Sequence, residues 1–222
     1  MLGKYRSVIF DLDGTLMDTS SGIVESIKYV LKERNYNISD VNTIKKFIGP
    51  PVEYIFKDVM HMPDQEVCEA AKLFRKIYTE KYLFEAKVYP YINNVLDICY
   101  NNKMKCFVAT NKRLSYTRTL LEHFSLLEKF ELICGTDSGG LLSKTDLIKQ
   151  CIRYCDIDRS FFVMVGDSLS DSNGAEQAGI DFIAATYGFG FKNASDLKNV
   201  KHVAICKSPK YLLNILDNIA FT

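Results

Sequence analysis

The chain has 222 residues, 47% hydrophobic and 25% charged, which is enough apolar material for a packed core and suits one large domain or one domain with an insertion. Its 28 Lys and Arg balance 27 Asp and Glu to a net charge of +1. That balance excludes a global attraction to nucleic acid or to an anionic membrane, so any anion must be held by a local site.

In chain order, the first apolar run is Ser7-Val-Ile-Phe10, ending at Asp11. A secretory signal needs about 7–15 apolar residues there and a membrane span needs roughly 20 anywhere. The sequence has neither, and the expectation is a cytoplasmic protein that engages no membrane. Residues 20 to about 84 read as purely helical. Ile23, Ile27, Val30 and Leu31 share one helical stripe. Pro63 and Asp64 open a second helix, with Val67, Ala70, Ala71, Phe74 and Ile77 on its inner face. Gly49-Pro50-Pro51 interrupts the stretch, because proline cannot continue a helix.

From about residue 88 the pattern changes. Lys105-Cys-Phe-Val-Ala109 ends at Thr110, Phe130-Glu-Leu-Ile-Cys134 at Gly135, and Phe161-Phe-Val-Met-Val165 at Gly166-Asp167. Asp181-Phe-Ile-Ala-Ala185 and His202-Val-Ala-Ile205 follow. These runs are too short for helices and rich in β-branched and aromatic residues, the pattern of buried parallel strands. Helical stripes separate them: Val95, Ile98 and Cys99; then Leu114, Thr117, Leu120, Leu121 and Phe124; then Leu147, Ile148, Cys151, Ile152 and Cys155. Gly188 and Gly190 read as shaping a loop. The seven cysteines form no Cys-x-x-Cys pair and are expected to be buried free thiols.

Strands alternating with helices define an α/β fold, a doubly wound (Rossmann-like) parallel sheet. The helical stretch that breaks the alternation is read as an insertion. The expected division is a core of residues 1–17 and 86–222 and an all-helical cap domain of residues 18–85, with hinges near 16–18 and 86–90.

Ligands of open α/β sheets bind outside the carboxyl ends of the strands. There the first strand ends in Asp11-Leu-Asp13-Gly-Thr15, the second in Thr110-Asn111-Lys112, and the fourth in Gly166-Asp167-Ser-Leu-Ser-Asp171. Four carboxylates on one edge repel unless a cation sits among them, and hard oxygen ligands favour Mg²⁺. A carboxylate set of this kind is a phosphate site in waiting. An aspartate can attack phosphorus itself, and a second carboxyl two residues later can protonate the leaving oxygen and then activate water. Thr110 and Lys144, the latter at a helix start, are candidates to hold the phosphoryl oxygens.

Asp11-Leu-Asp-Gly-Thr-Leu-Met-Asp18 resembles motif one of the haloacid dehalogenase superfamily, Val108-Ala-Thr-Asn111 motif two, Lys144 motif three, and Gly166-Asp-Ser-Leu-Ser-Asp171 motif four. Their order and separations also match, over essentially the whole chain. Ile48-Gly-Pro-Pro51 and Tyr187-Gly-Phe-Gly190 resemble the phosphoglycolate phosphatase-like group. The resemblance implies a Mg²⁺-dependent phosphatase acting on a small phosphorylated metabolite, as a monomer or small homo-oligomer. It implies Asp11 as nucleophile and metal ligand, Asp13 as general acid/base and metal ligand through its carbonyl, and Lys144 paired with Asp11 and the phosphoryl group. Thr110 and Asn111 then bind the phosphoryl group, Asp167 ligates the metal, and Asp171 supports the metal or orients Lys144. Gly49, Pro50 and Lys112 are further substrate-binding candidates. Two departures, Thr145 after the motif-three lysine and Ser168 in motif four, remove no catalytic group.

Other readings share part of this constellation. A phosphomutase of the same superfamily keeps all four motifs and returns the phosphoryl group to its substrate. A signalling receiver domain also carries an aspartyl-phosphate, but it is about half this length and places its acceptor on a later strand. A non-catalytic phosphate-binding module would have lost Asp11 or Asp13, and both are present.

Overall fold

The strand β1, Ser7–Phe10, has no solvent-exposed residue, and the sheet is built outward from it. A computed structural model describes residues 5–36, 48–49, 51–136 and 142–220, with side chains through residue 216. In it β1 pairs in parallel with β4, Lys105–Arg113, on one side and with β6, Phe162–Gly166, on the other. The full six-stranded order is β5-β4-β1-β6-β7-β8, where β5 is Leu132–Thr136, β7 Asp181–Ala185 and β8 Ala204–Cys206. Every pairing is parallel, so each strand needs a crossover and helices cover the sheet. β2, Met17–Asp18, and β3, Lys87–Val88, form a separate two-stranded sheet.

The chain forms two compact units, Met1–Asp18 with Val88–Thr222, and Thr19–Lys87. In the first, the helices are α3 (Ile92–Asn101), α4 (Leu114–His123), α5 (Lys144–Tyr154), α6 (Leu169–Ala178) and α7 (Pro209–Ala220). Leu147, Ile148 and Cys151 of α5 lie with Ile9, Phe107, Phe162, Met164 and Phe182 of the sheet in one buried cluster. In the second unit, α1 (Ser20–Glu33) and α2 (Asp64–Ile77) pack together. A short helix, Val52–Tyr54, runs into a π-turn, Ile55–Val59. Phe74 stacks on Tyr78 at 5.6 Å between centroids and meets Phe56 edge-on at 6.5 Å.

Several boundaries differ from the sequence reading, each for a local reason. β4 runs on to Arg113 instead of ending at Ala109, and its register against β5 slips between Thr110 and Arg113. Thr136 Oγ1 donates to the Asn111 carbonyl at 3.0 Å across that irregularity. β5 starts at Leu132, opposite Phe107, because Phe130 turns inward to meet Phe10 edge-on at 6.4 Å. β8 starts at Ala204, since the His202 ring is tied to the Val200 carbonyl at 2.7 Å in the preceding turn. On α1 the buried face includes Gly22, Val24 and Ser26, while Ile23 is half-buried. All seven cysteines are free thiols; six are buried and Cys68 is exposed.

Phe162 is fully buried beside Phe107. Phe162→Ala should therefore lower unfolding free energy by about 3–5 kcal/mol, read by urea denaturation. Tyr100→Ala, at a residue 82% exposed, should change it by less than about 0.5 kcal/mol.

Candidate active site

Asp11 is the first residue beyond β1, and its side chain is buried. It meets the first residue of α5: Lys144 Nζ lies 2.7 Å from Asp11 Oδ1 and 2.8 Å from Asp171 Oδ1, and it donates to the Ala109 carbonyl at 2.9 Å. Local sequence explains why α5 begins there. Ser143 and Asp146 form a capping box, with Asp146 N donating to Ser143 Oγ at 3.2 Å and Ser143 N to Asp146 Oδ2 at 3.0 Å. Asp171 lies in the first turn of α6, where its Oδ2 accepts from Ser168 N at 3.0 Å and Ser168 Oγ at 2.6 Å. Its two oxygens thus serve two masters, the helix start and the buried lysine.

Asp167 follows β6 directly. Its Oδ2 accepts from Phe189 N at 2.5 Å and Gly190 N at 3.1 Å. A Cβ on Gly188 would come within 2.2 Å of the Gly14 carbonyl oxygen and 2.3 Å of Asp167 Oδ2. Only glycine fits between these two loops. Gly14 itself has φ +82°, the left-handed region glycine tolerates. Tyr187 Oη donates to the Thr15 carbonyl at 2.9 Å. The sequence marks Gly188 and Gly190 as loop-shaping; that their loop supplies the amides that hold Asp167 has no local signal, because the partners are more than twenty residues apart.

The remaining candidates divide. Thr110 is buried, and its Oγ1 accepts from Lys112 N at 3.3 Å. Asn111 Nδ2 donates to Ser170 Oγ at 3.1 Å, so its amide is turned toward the start of α6. Lys112 Nζ lies 3.1 and 3.2 Å from the two oxygens of Asp13. Gly49 lies exposed in the second unit, and Pro50 lies outside the described residues.

Asp11, Asp167 and Asp171 each place an oxygen within 4.8 Å of the others, all three buried. Burial pushes the Asp11 carboxyl up to about 8; Lys144 pulls it down, while Asp171, Asp167 and Asp13 push it further up. Burial pushes Asp167 up to about 7, with Asp171 adding to the rise and the Gly190 and Phe189 amides opposing it. For Lys144, burial works against the charge, but Asp11 and Asp171 outweigh it and hold the ammonium above its ordinary range. Three carboxylates therefore face one ammonium. A donor set of buried carboxylate oxygens, with no thiol or imidazole in the cluster, fits a hard divalent cation.

The sequence profile described as haloacid dehalogenase-like hydrolase matches residues 8–185. The chain is 29% identical to a 5'-nucleotidase of Pseudomonas aeruginosa, over 97% of each chain. It is 28% identical to a phosphoglycolate phosphatase of Nitrosospira multiformis, over 83% of this chain and 84% of that one. The crystal structure of a predicted phosphatase from Clostridium acetobutylicum superposes with a TM-score of 0.86 at 33% identity, covering 95% of this chain and 97% of that one. The chain belongs to the haloacid dehalogenase-like hydrolases. Within that family it is a phosphatase of the phosphoglycolate phosphatase-like group.

Two outcomes follow from the carboxylate cluster. Asp11 and Asp167 are raised in the folded state from 3.8 to about 8 and about 7. Their contribution to stability is therefore full below about pH 4 and lost as pH rises through those folded values. Chelator-treated protein should lose stability between pH 5 and 9 in urea titrations at fixed ionic strength; a flat or rising profile would contradict the burial argument. Gly188→Ala should cost about 1–3 kcal/mol by overpacking, because the atom it strikes on Gly14 is backbone; thermal unfolding measures this.

Proposed function

We propose that the protein hydrolyses a small phosphate monoester in a Mg²⁺-dependent reaction through an aspartyl-phosphate on Asp11. The observation that carries the reading is the Lys144 ammonium set between Asp11 and Asp171, with Asp167 alongside. Lys144 holds one oxygen of Asp11, and the other is the attacking atom. As the Asp11 oxygen bonds to phosphorus, the bond from phosphorus to the leaving oxygen breaks, and Asp13 gives that oxygen its proton. The Asp13 carboxylate then takes a proton from the water that attacks the aspartyl-phosphate, which releases inorganic phosphate and restores the Asp11 carboxylate. Thr110 and Asn111 bind the transferring group, and Lys144 offsets its charge. Asp11, Asp167 and the Asp13 carbonyl would hold Mg²⁺, with Asp171 acting chiefly through Lys144. When bound, the ion supplies charge neutralisation at the phosphoryl oxygens.

The inserted helical segment takes the part of the cap, and this favours small metabolites over phosphoproteins. The names of the relatives, a 5'-nucleotidase and phosphoglycolate phosphatases, support phosphoglycolate or a nucleoside monophosphate as the substrate class. The six buried free thiols support a cytoplasmic setting.

Phosphate release across a panel of small phosphate esters, with Mg²⁺ and with EDTA, tests this reading. Release should require Mg²⁺ and favour one ester class. Asp11→Asn should lower kcat at least about 10³-fold with the fold intact by circular dichroism. Substantial activity in that variant would refute the nucleophile, and a product that keeps its phosphate would indicate a mutase.

A further inference from the structure

We propose that Lys112 is a positioning residue for the general acid: its ammonium clamps the Asp13 carboxyl group in the orientation from which that group serves the leaving oxygen. The inference rests on the reading above in which Asp13 is the acid and base. Lys112 Nζ is nearly equidistant from the two oxygens of Asp13, at 3.1 and 3.2 Å. Side-chain exposure is 6% for Lys112 and 16% for Asp13, so this is not the mobile surface pair that contributes little.

Both ends of the clamp are anchored. On one side Lys112 stands in the irregular end of β4, between Thr110 and Arg113, and its own amide donates to Thr110 Oγ1 at 3.3 Å. The hydroxyl offered to the phosphoryl group and the ammonium offered to Asp13 are thereby fixed on one short piece of chain. On the other side the backbone of Asp13 is held in a tight turn, where the Leu12 carbonyl accepts from Leu16 N and Met17 N, each at 3.0 Å, and Gly14 N donates to the Met17 carbonyl at 2.8 Å. That turn fixes the Asp13 backbone, and Lys112 grips its side chain, while Lys144 is placed on Asp11 and Asp171. The two lysines thus divide the carboxylates, one for the nucleophile and one for the acid.

The test compares two esters. An alkyl phosphate needs a proton on its leaving oxygen, whereas 4-nitrophenyl phosphate releases a stable phenolate without one. Lys112→Met, Lys112→Arg and Asp13→Asn are assayed on both, reading kcat/KM, which reports the steps up to departure of the alcohol. Lys112→Met should lose about 100-fold on the alkyl ester, the cost of a misplaced catalytic group, and about tenfold less than that on 4-nitrophenyl phosphate, which needs no proton on its leaving oxygen. Circular dichroism and thermal unfolding of each variant certify the fold. Lys112→Arg should recover to within about tenfold of the unaltered enzyme on the alkyl ester. Equal losses of Lys112→Met on both esters, while Asp13→Asn discriminates between them, would overturn the clamp and leave the acid assignment standing. Equal losses of Asp13→Asn on both esters would overturn the acid assignment, and the clamp with it.

Discussion

The Lys144 ammonium, buried with 2.7 and 2.8 Å contacts to Asp11 and Asp171, is the charge on which the rest of the structure depends. A buried ion pair adds little net stability when intact, but removal of one partner strands the other and costs about 3–5 kcal/mol. Lys144 and its two carboxylates therefore hold one another in place, and the Ala109 carbonyl at 2.9 Å fixes the lysine further. That requirement reaches well beyond the three side chains. The first residue of α5, the first turn of α6, the end of β1 and the middle of β4 must meet at one point within hydrogen-bonding distance. The Ser143–Asp146 capping box and the Ser168–Asp171 contacts set where the two helices begin, and so where the lysine and Asp171 stand.

The sheet supplies the rest of the precision. β1 is paired with β4 and β6 in unbroken parallel register, Phe10 opposite Val108 and Val165. Three adjacent strands thus lead to one edge of the sheet, with Asp11 and Asp167 just beyond β1 and β6 and Thr110 within β4. Behind that edge Ile9, Phe107, Phe162 and Met164 are fully buried, a close-packed floor that deforms little. The clustered like charges tend to push the strand ends apart, and the apolar floor and the parallel pairing resist it.

Much of this was legible in the sequence because its signals are local. The short apolar runs, most of them ending in a polar residue, name the strands and the carboxyl edge together, and Pro63 followed by the stripe Val67, Ala70, Ala71, Phe74 and Ile77 names α2 and its buried face. What was not legible depends on residues remote in the chain. Asp167 is held by amides more than twenty residues later, and the loop that brings them requires Gly188 for a close approach to Gly14. The grip of Lys112 on Asp13 spans 99 residues, and the composition around either residue does not announce it. The extension of β4 was missed for another reason. Thr110-Asn-Lys-Arg113 is polar and reads as loop, but pairing with β5 across an irregular register keeps it in the sheet.

The turn after β1 shows how two carboxylates of identical chemistry come to occupy different roles two residues apart. The Leu12 carbonyl gathers the amides of Leu16 and Met17, and this reversal sends Asp11 and Asp13 to different surroundings. Asp11 is driven into the buried cluster, where Asp167 and Asp171 crowd it and Lys144 opposes them. Asp13 stays nearer solvent and pairs with Lys112. Differences of environment between neighbouring carboxyls are the usual means by which one serves as nucleophile and the other as acid. Here a single turn creates that difference, and two lysines from separate strands and helices maintain it. A change that relaxed the turn would blur both roles at once, even if every titratable residue were kept.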